Sequence, residues 1–284
     1  MKISIISTMT NPEKRMDPWK ESLNFYNDFA DEVIITGEDW KEEFSWEYIG
    51  ETYQEAFDKT TGDWVLSMAL DMFIHESYKN KLRESLEKFK EFPAVSFPKY
   101  QFFVPTKYHL KSRLVVAYNK KMHPNLNVRG GSDLCIPNIG KKVLNYKNVP
   151  AVNIPIFQYE SMFRTKDVIQ HDRARFARAW NRCFGNFGDR GGPTEKEAFD
   201  AWINDITKKI KLHTHDFKVE NHPKYIIEKI ENITENMFGK SAFGLDSNKR
   251  KNYHTHLKNI VEKELNQRYL CSDFRNYKLN SFVN

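Results

Sequence analysis

The stretch from Ile49 to Glu76, IGETYQEAFDKTTGDWVLSMALDMFIHE, does most to narrow what this chain can fold into. It reads as a helix ending at Gly62, followed by a buried strand, Trp64 to Leu70. A single carboxylate, Asp71, stands just past the strand's carboxyl end. Ligands of open α/β sheets bind outside the carboxyl ends of the strands, so Asp71 is placed to hold a metal or a phosphate-bearing ligand. The alternative is that Asp71 caps the next helix, read from HESYKNKLRESLEKF.

The residues upstream supply the rest of a parallel unit. MKISIIST is a β-rich run that breaks at Thr8-Met9-Thr10-Asn11. A helical stretch, Pro18 to Phe29, leads to a second strand, Asp31 to Thr36, which ends in Gly37-Glu38-Asp39-Trp40. Strand, helix, strand, helix, strand and acid in that order predict an α/β unit whose loops cradle a nucleotide. This arrangement resembles the nucleotide-binding half of family 2 glycosyltransferases of the GT-A fold. In that family the first two strands end in Pro-Thr-Tyr-Asn-like and Asp-Asp-Gly-Ser-like turns, and a third motif reads A-x-G-D-W-V-L-x-L-D-x-D. Here the third motif is Thr60-Thr61-Gly62-Asp63-Trp64-Val65-Leu66-Ser67-Met68-Ala69-Leu70-Asp71. The resemblance covers roughly residues 1–165. It implies a GT-A Rossmann-like mixed sheet flanked by helices, with residues 1–164 as the nucleotide-sugar-binding and catalytic core and 165–284 as a helical C-terminal region.

The resemblance also assigns residues. Thr8 and Thr10 would line the donor pocket, and Asp39 or Glu38 would contact the uracil or ribose. The family's Asp-x-Asp pair falls at Ala69 and Asp71, so only the second acid, which usually contacts the divalent cation, is kept. A hard cation such as Mn²⁺ or Mg²⁺ prefers oxygen ligands and bridges substrate phosphates, so losing one acid should weaken it. Natural divergence, a metal-light mechanism or an introduced Asp→Ala change would each account for Ala69. Glu76 is a possible replacement ligand, although it reads better as the start of the next helix. A second expected metal ligand, often His in relatives, is Gln158 in the passage Pro155 to Arg164. Arg164, Lys166 and Arg173 follow and offer charge-assisted hydrogen bonds to a departing diphosphate.

Between these motifs, Phe92 to Pro98 and Tyr100 to Val104 are aromatic, proline-broken runs that fit short or edge strands, and Arg113 to Asn119 is another strand. The acceptor-side loop of the resemblance is Val128-Arg129-Gly130-Gly131-Ser132-Asp133-Leu134, in which Asp133 takes the place of the family's general base. The plain alternative is a Gly-Gly turn in which Asp133 accepts a backbone hydrogen bond.

Composition bounds the class. With 40% hydrophobic and 14% aromatic residues, the 284-residue chain has ample material for a core. No run approaches the about 20 apolar residues that span a bilayer, and the first residues form a strand rather than a signal peptide, so a soluble, cytoplasmic protein is expected. Its 3 cysteines, Cys135, Cys183 and Cys271, are far apart and fit free thiols in a reducing compartment. The net charge of +6 would attract an anionic acceptor, although it is also common in Lys- and Asn-rich chains.

After residue 165 the pattern turns helical. Thr165 to Phe184 places Val168, Phe176, Ala179, Trp180 and Cys183 roughly on one face, and the Gly-rich run GNFGDRGGP ends it. That run lacks the Gly-Lys-Ser/Thr ending of a phosphate loop. Thr194 to Glu197 carries a capping-box signature for a helix reaching about Ile210, and Pro223–Ile233 and Asn252–Leu270 are further amphipathic helices. His213/His215 and His254/His256 raise a zinc hypothesis; a spacing of two suits one face of a strand, but the second pair lies in a helical pattern where i and i+2 diverge.

The resemblance implies an inverting glycosyltransferase that uses a nucleotide-diphosphate sugar, UDP-sugar favoured, with Asp133 as base. Its acceptor would be a glycan or a hydroxymethylated DNA base. A sugar-1-phosphate nucleotidyltransferase and a non-catalytic nucleotide-sugar or glycan-binding protein are the alternatives. The first loop lacks the Gly-rich, basic stretch the former requires, while Ala69 and Gln158 favour the latter.

Overall fold

A computed structural model describes residues 1–38, 40–43, 45–128, 137–159 and 161–233. Asp39, Asp133, Cys135, Cys271, the His254/His256 pair and the helix expected over Asn252–Leu270 lie outside the described residues.

The chain begins with β1 (Ile3–Thr8), which is flanked on both sides by parallel partners, β2 (Glu32–Thr36) and β3 (Trp64–Ser67). A strand covered on both faces needs apolar residues in both registers, and ISIIST supplies them. Ile3 and Ile5 face the cluster built on Phe25, Tyr26 and Phe29 of α1 (Trp19–Phe29). Ile6 faces the other way, against Ile49, Tyr53 and Phe57 of α2 (Trp46–Lys59). The α2 helix starts at Ser45, whose hydroxyl accepts the Tyr48 N–H at 3.1 Å, and it stops at Thr60, before Gly62. Gly62 is required by crowding, since a Cβ there would lie 2.4 Å from Ser4 Oγ.

Beyond Ser67 the chain leaves the sheet centre and returns at its far edge as β4 (Met72–Ile74), antiparallel to β9 (Ile156–Gln158). With β5 (Ala94–Val104) and β6 (Lys107–Asn119) between them, the order is β2-β1-β3-β6-β5-β9-β4, a mixed sheet with helices on both faces, as the fold class expected. The strand β4 was not expected from sequence, and it removes the capping role considered for Asp71. The residue before the following 3-10 turn is His75, which caps it, and α3 (Lys79–Lys88) begins only after that turn.

The two proline-broken edge strands are in fact one 11-residue inner strand, β5 (Ala94–Val104), paired with β6 (Lys107–Asn119) and β9. Pro98 is tolerated because it falls at a register shift between Phe97 and Lys99, where no ladder hydrogen bond is lost. A small hairpin, β7 (Asn138–Ile139) and β8 (Lys142–Val143), stands apart.

Among the described residues after 165 the chain is mostly helical, in α4 (Lys166–Phe184), α5 (Glu195–His213) and α6 (Lys224–Glu231). Thr165 caps α4, and the Thr194–Glu197 capping box opens α5. It also contributes one strand, β10 (Thr214–Asp216), which pairs antiparallel with β6 and so joins this region to the main sheet. His213 closes α5, whereas His215 lies on β10 and stacks on Tyr108 at 5.0 Å.

Candidate active site

The carboxyl ends of β1 and β3 open into a cleft of about 1070 Å³ that is walled on the far side by α4 and α5. Thr8, Thr10, Ala69, Asp71, Gln158 and Arg164 all line it, although they come from four separate parts of the sequence. Glu38 is exposed on the turn after β2 and is not among the residues lining the cleft, whereas Trp40 is. Glu76 is no substitute ligand, because its carboxylate accepts the Lys224 backbone N–H at 3.0 Å away from the cleft.

Local structure fixes the segment that carries Asp71. The Tyr26 hydroxyl donates to the Ala69 carbonyl at 2.9 Å, and the Ser22 hydroxyl donates to that of Leu70. The Asp71 carbonyl accepts the Tyr159 N–H at 2.9 Å. Helix α1 and strand β9 therefore hold this backbone from both sides. The Asp71 side chain is buried, and one carboxylate oxygen accepts the Gln158 amide N–H at 3.1 Å. The Tyr159 hydroxyl donates to His222 Nδ1 at 2.8 Å, while His222 Nε2–H donates to the Pro105 carbonyl at 2.8 Å. Burial lowers the His222 pKa to about 4, so the ring is neutral.

The loop after β1 forms the opposite wall. Two of its residues, Asn11 (φ 42°) and Met16 (φ 56°), adopt left-handed backbone, and the Thr10 hydroxyl donates to the Gly37 carbonyl. Left-handed conformations in non-glycine residues persist only where surrounding contacts hold them. The principal restraint is Asp172 on α4, reached from three arginines. Arg15 contacts both its oxygens, at 3.0 and 3.4 Å; Arg164 donates at 2.9 Å and Arg175 at 3.5 Å. Arg15 and Arg164 also share Asp17, at 3.0 and 2.5 Å. Arg175 extends the network to the carbonyls of Lys41 and Glu42, in the segment after β2. Burial alone would push the Asp172 carboxyl up, but Arg15, Arg164, Arg173 and Arg175 hold it well below the usual carboxylate range. Burial opposes the charge of Arg164, yet Asp17 and Asp172 raise its pKa, with a smaller contribution from Asp71.

Arg164 therefore lines the cleft, braced there by two carboxylates. Lys166 lies over the Phe199 ring and does not line the cleft, while Arg173 does line it, beside Trp202. Arg15 and Asp172 were not anticipated. Val168, Phe176 and Trp180, expected on the apolar face of α4, are only half-buried because that face borders the cleft. Cys183 is an exposed free thiol.

Two oxygen donors are available to a divalent cation. One is the Asp71 carboxylate; the other is Gln158 Oε1, which is buried and has no hydrogen-bond partner. Among the described residues no group of three His, Cys, Asp or Glu side chains gathers. This set fits a Mg²⁺- or Mn²⁺-type ion that takes most of its oxygens from a bound diphosphate and water. No helix among the described residues is long and apolar enough to cross a membrane.

No family model matches the sequence, and neither does any curated protein. Solved structures do give matches. A structure of S. aureus TarS residues 1–349 aligns at 12% identity and a TM-score of 0.35, covering 74% of this chain and 80% of that one. A longer S. aureus TarS structure aligns at 12% identity and a TM-score of 0.33, with 74% of this chain and 49% of that chain covered. Residues 1–349 in complex with UDP give 12% identity, a TM-score of 0.32, and 74% and 80% coverage. Values this low carry no functional inference.

Proposed function

We propose that the chain is a glycosyltransferase that takes a sugar from a nucleotide-diphosphate donor, UDP-sugar favoured, and passes it to an acceptor hydroxyl with inversion. The observation that carries this reading is the convergence of Thr8, Thr10, Asp71, Gln158 and Arg164 on one cleft at the strands' carboxyl ends. In open α/β sheets that is where ligands bind. The nucleoside would lie between the β1 loop and Trp40, with its diphosphate directed toward Asp71 and Arg164.

In the proposed reaction the acceptor oxygen attacks the anomeric carbon as Asp133 removes its proton. The bond from that carbon to the diphosphate oxygen breaks, and the nucleoside diphosphate leaves with the electron pair. Arg164, held rigid by Asp17 and Asp172, meets the developing charge without having to reorganise. A Mn²⁺ or Mg²⁺ ion held by Asp71 and Gln158 would add charge neutralisation at the diphosphate. The acceptor class is a glycan or a hydroxymethylated DNA base, and a steeply salt-dependent interaction with duplex DNA would favour the latter.

Ala69 and Gln158 favour a second reading, a non-catalytic nucleotide-sugar or glycan-binding protein. Hydrolysis and transfer assays on the native chain and on Ala69→Asp separate the two. Turnover of a UDP-sugar by either protein supports the transferase. Nucleotide binding with no turnover by either supports the binder.

A further inference from the structure

The part of the cleft farthest along α4 has a chemistry that the donor does not use. Trp180 and Phe184, one helical turn apart, both line the cleft, with ring centroids 4.1 Å apart. Phe184 is 49% exposed, which is unusual for so large an apolar side chain. Beyond it Gly185, at φ 71°, ends the helix and turns the Gly-rich loop back over Trp180, so that Arg190 Cζ sits 3.4 Å from the Trp180 ring centroid.

Polar groups converge beside these rings. A Cβ on Gly188 would lie 3.4 Å from Trp180 Nε1, 3.5 Å from Arg190 Nη1 and 3.6 Å from Asn186 Oδ1. Trp180 Nε1 and Arg190 Nε are both buried and have no hydrogen-bond partner. A buried donor without a partner costs roughly 1–3 kcal/mol, so this corner of the fold is not fully satisfied by the chain's own groups.

We propose that Trp180, Phe184 and the Asn186–Arg190 loop form a subsite for a neutral oligosaccharide, the remote part of the glycan acceptor. The proposal rests on the transferase reading and fixes its acceptor class. The open face of Phe184 beside the Arg190 guanidinium and the Asn186 amide suits a sugar ring, which presents C–H bonds on its faces and hydroxyls at its rim. The nucleobase has its own place near Thr8 and Trp40. At about 1.5 Å per residue, Phe184 lies roughly 18 Å along α4 from Asp172, too far for a single sugar at the reacting centre to reach both.

The test is an indole ¹⁵N–¹H spectrum of the full chain, with the Trp180 resonance assigned from Trp180→Phe. It is titrated with maltotriose, cellotriose and chitotriose, and UDP thermal stabilisation is measured in parallel. The expected result is that one trisaccharide shifts the Trp180 indole signal, and that Phe184→Ala weakens this binding at least about tenfold while UDP stabilisation is kept. The proposal is overturned if no trisaccharide moves that signal, if other indole signals move without it, or if Phe184→Ala binds equally well. Failure of the donor reading registers separately, as an absence of UDP stabilisation in the unmodified chain.

Discussion

The Gln158 amide donates a hydrogen bond to Asp71 across 87 residues of sequence, at 3.1 Å, from one strand to the residue that opens its antiparallel neighbour. This contact places an amide beside the one carboxylate kept from the Asp-x-Asp motif. It accounts for how a lone acid stays oriented at the base of the cleft.

Restoring the missing acid should strengthen metal binding. Ala69 lines the cleft and its carbonyl is anchored by Tyr26, so a carboxylate there would join Asp71 without moving the backbone. Ala69→Asp is expected to raise the Mn²⁺ affinity of the UDP complex by about tenfold or more. Isothermal titration with Mn²⁺ in the presence of UDP checks this; an unchanged affinity would show that residue 69 does not face the metal.

Asp172 should behave as a joint rather than as a surface charge. Asp172→Asn leaves Arg15, Arg164 and Arg175 facing one another with one counter-charge fewer, a loss of about 3 kcal/mol for a largely buried ion pair. Urea unfolding would read that loss. Because the same residue ties the β1 loop to α4, UDP affinity should fall more than it does for the exposed-pair variant Lys196→Ala.

Stability should drop on mild acidification. The His222 pKa of about 4 lies below its ordinary 6.5, so the unfolded chain takes up a proton before the folded one does. Stability is then full above pH 6.5 and is lost as pH falls toward about 4, by up to about 3 kcal/mol. Urea midpoints measured across that window should fall, and His222→Gln, which does not titrate, should flatten the slope.

Much of the α/β frame was legible in the sequence because its signals are local. The alternate faces of ISIIST, the Thr165 cap and the Thr194–Glu197 box each act within a few residues, and the structure has those elements with small shifts at their ends. Strand β4 was missed because three residues are too few to show alternation. The strand β5 was split in two because Pro98 reads as a break unless the bulge beside it is known. Thr8, Thr10 and Asp71 were singled out by motif position and Arg164 by its place at the end of the last motif passage, and all four line the cleft. Arg15 and Asp172 were not singled out, since their pairing spans 157 residues and each looks like an ordinary solvated charge on its own element. The same limit applies to Trp180, whose helical spacing suggested core but whose face borders the cleft.

The most direct test is thermal unfolding of the native chain and of Asp71→Asn with UDP, GDP, CMP and dTDP, each with and without Mn²⁺. The expected result is selective stabilisation by UDP, enhanced by Mn²⁺ in the native chain and not in Asp71→Asn. Stabilisation by none of the nucleotides, or equal metal enhancement in both proteins, would contradict a nucleotide-diphosphate site centred on Asp71.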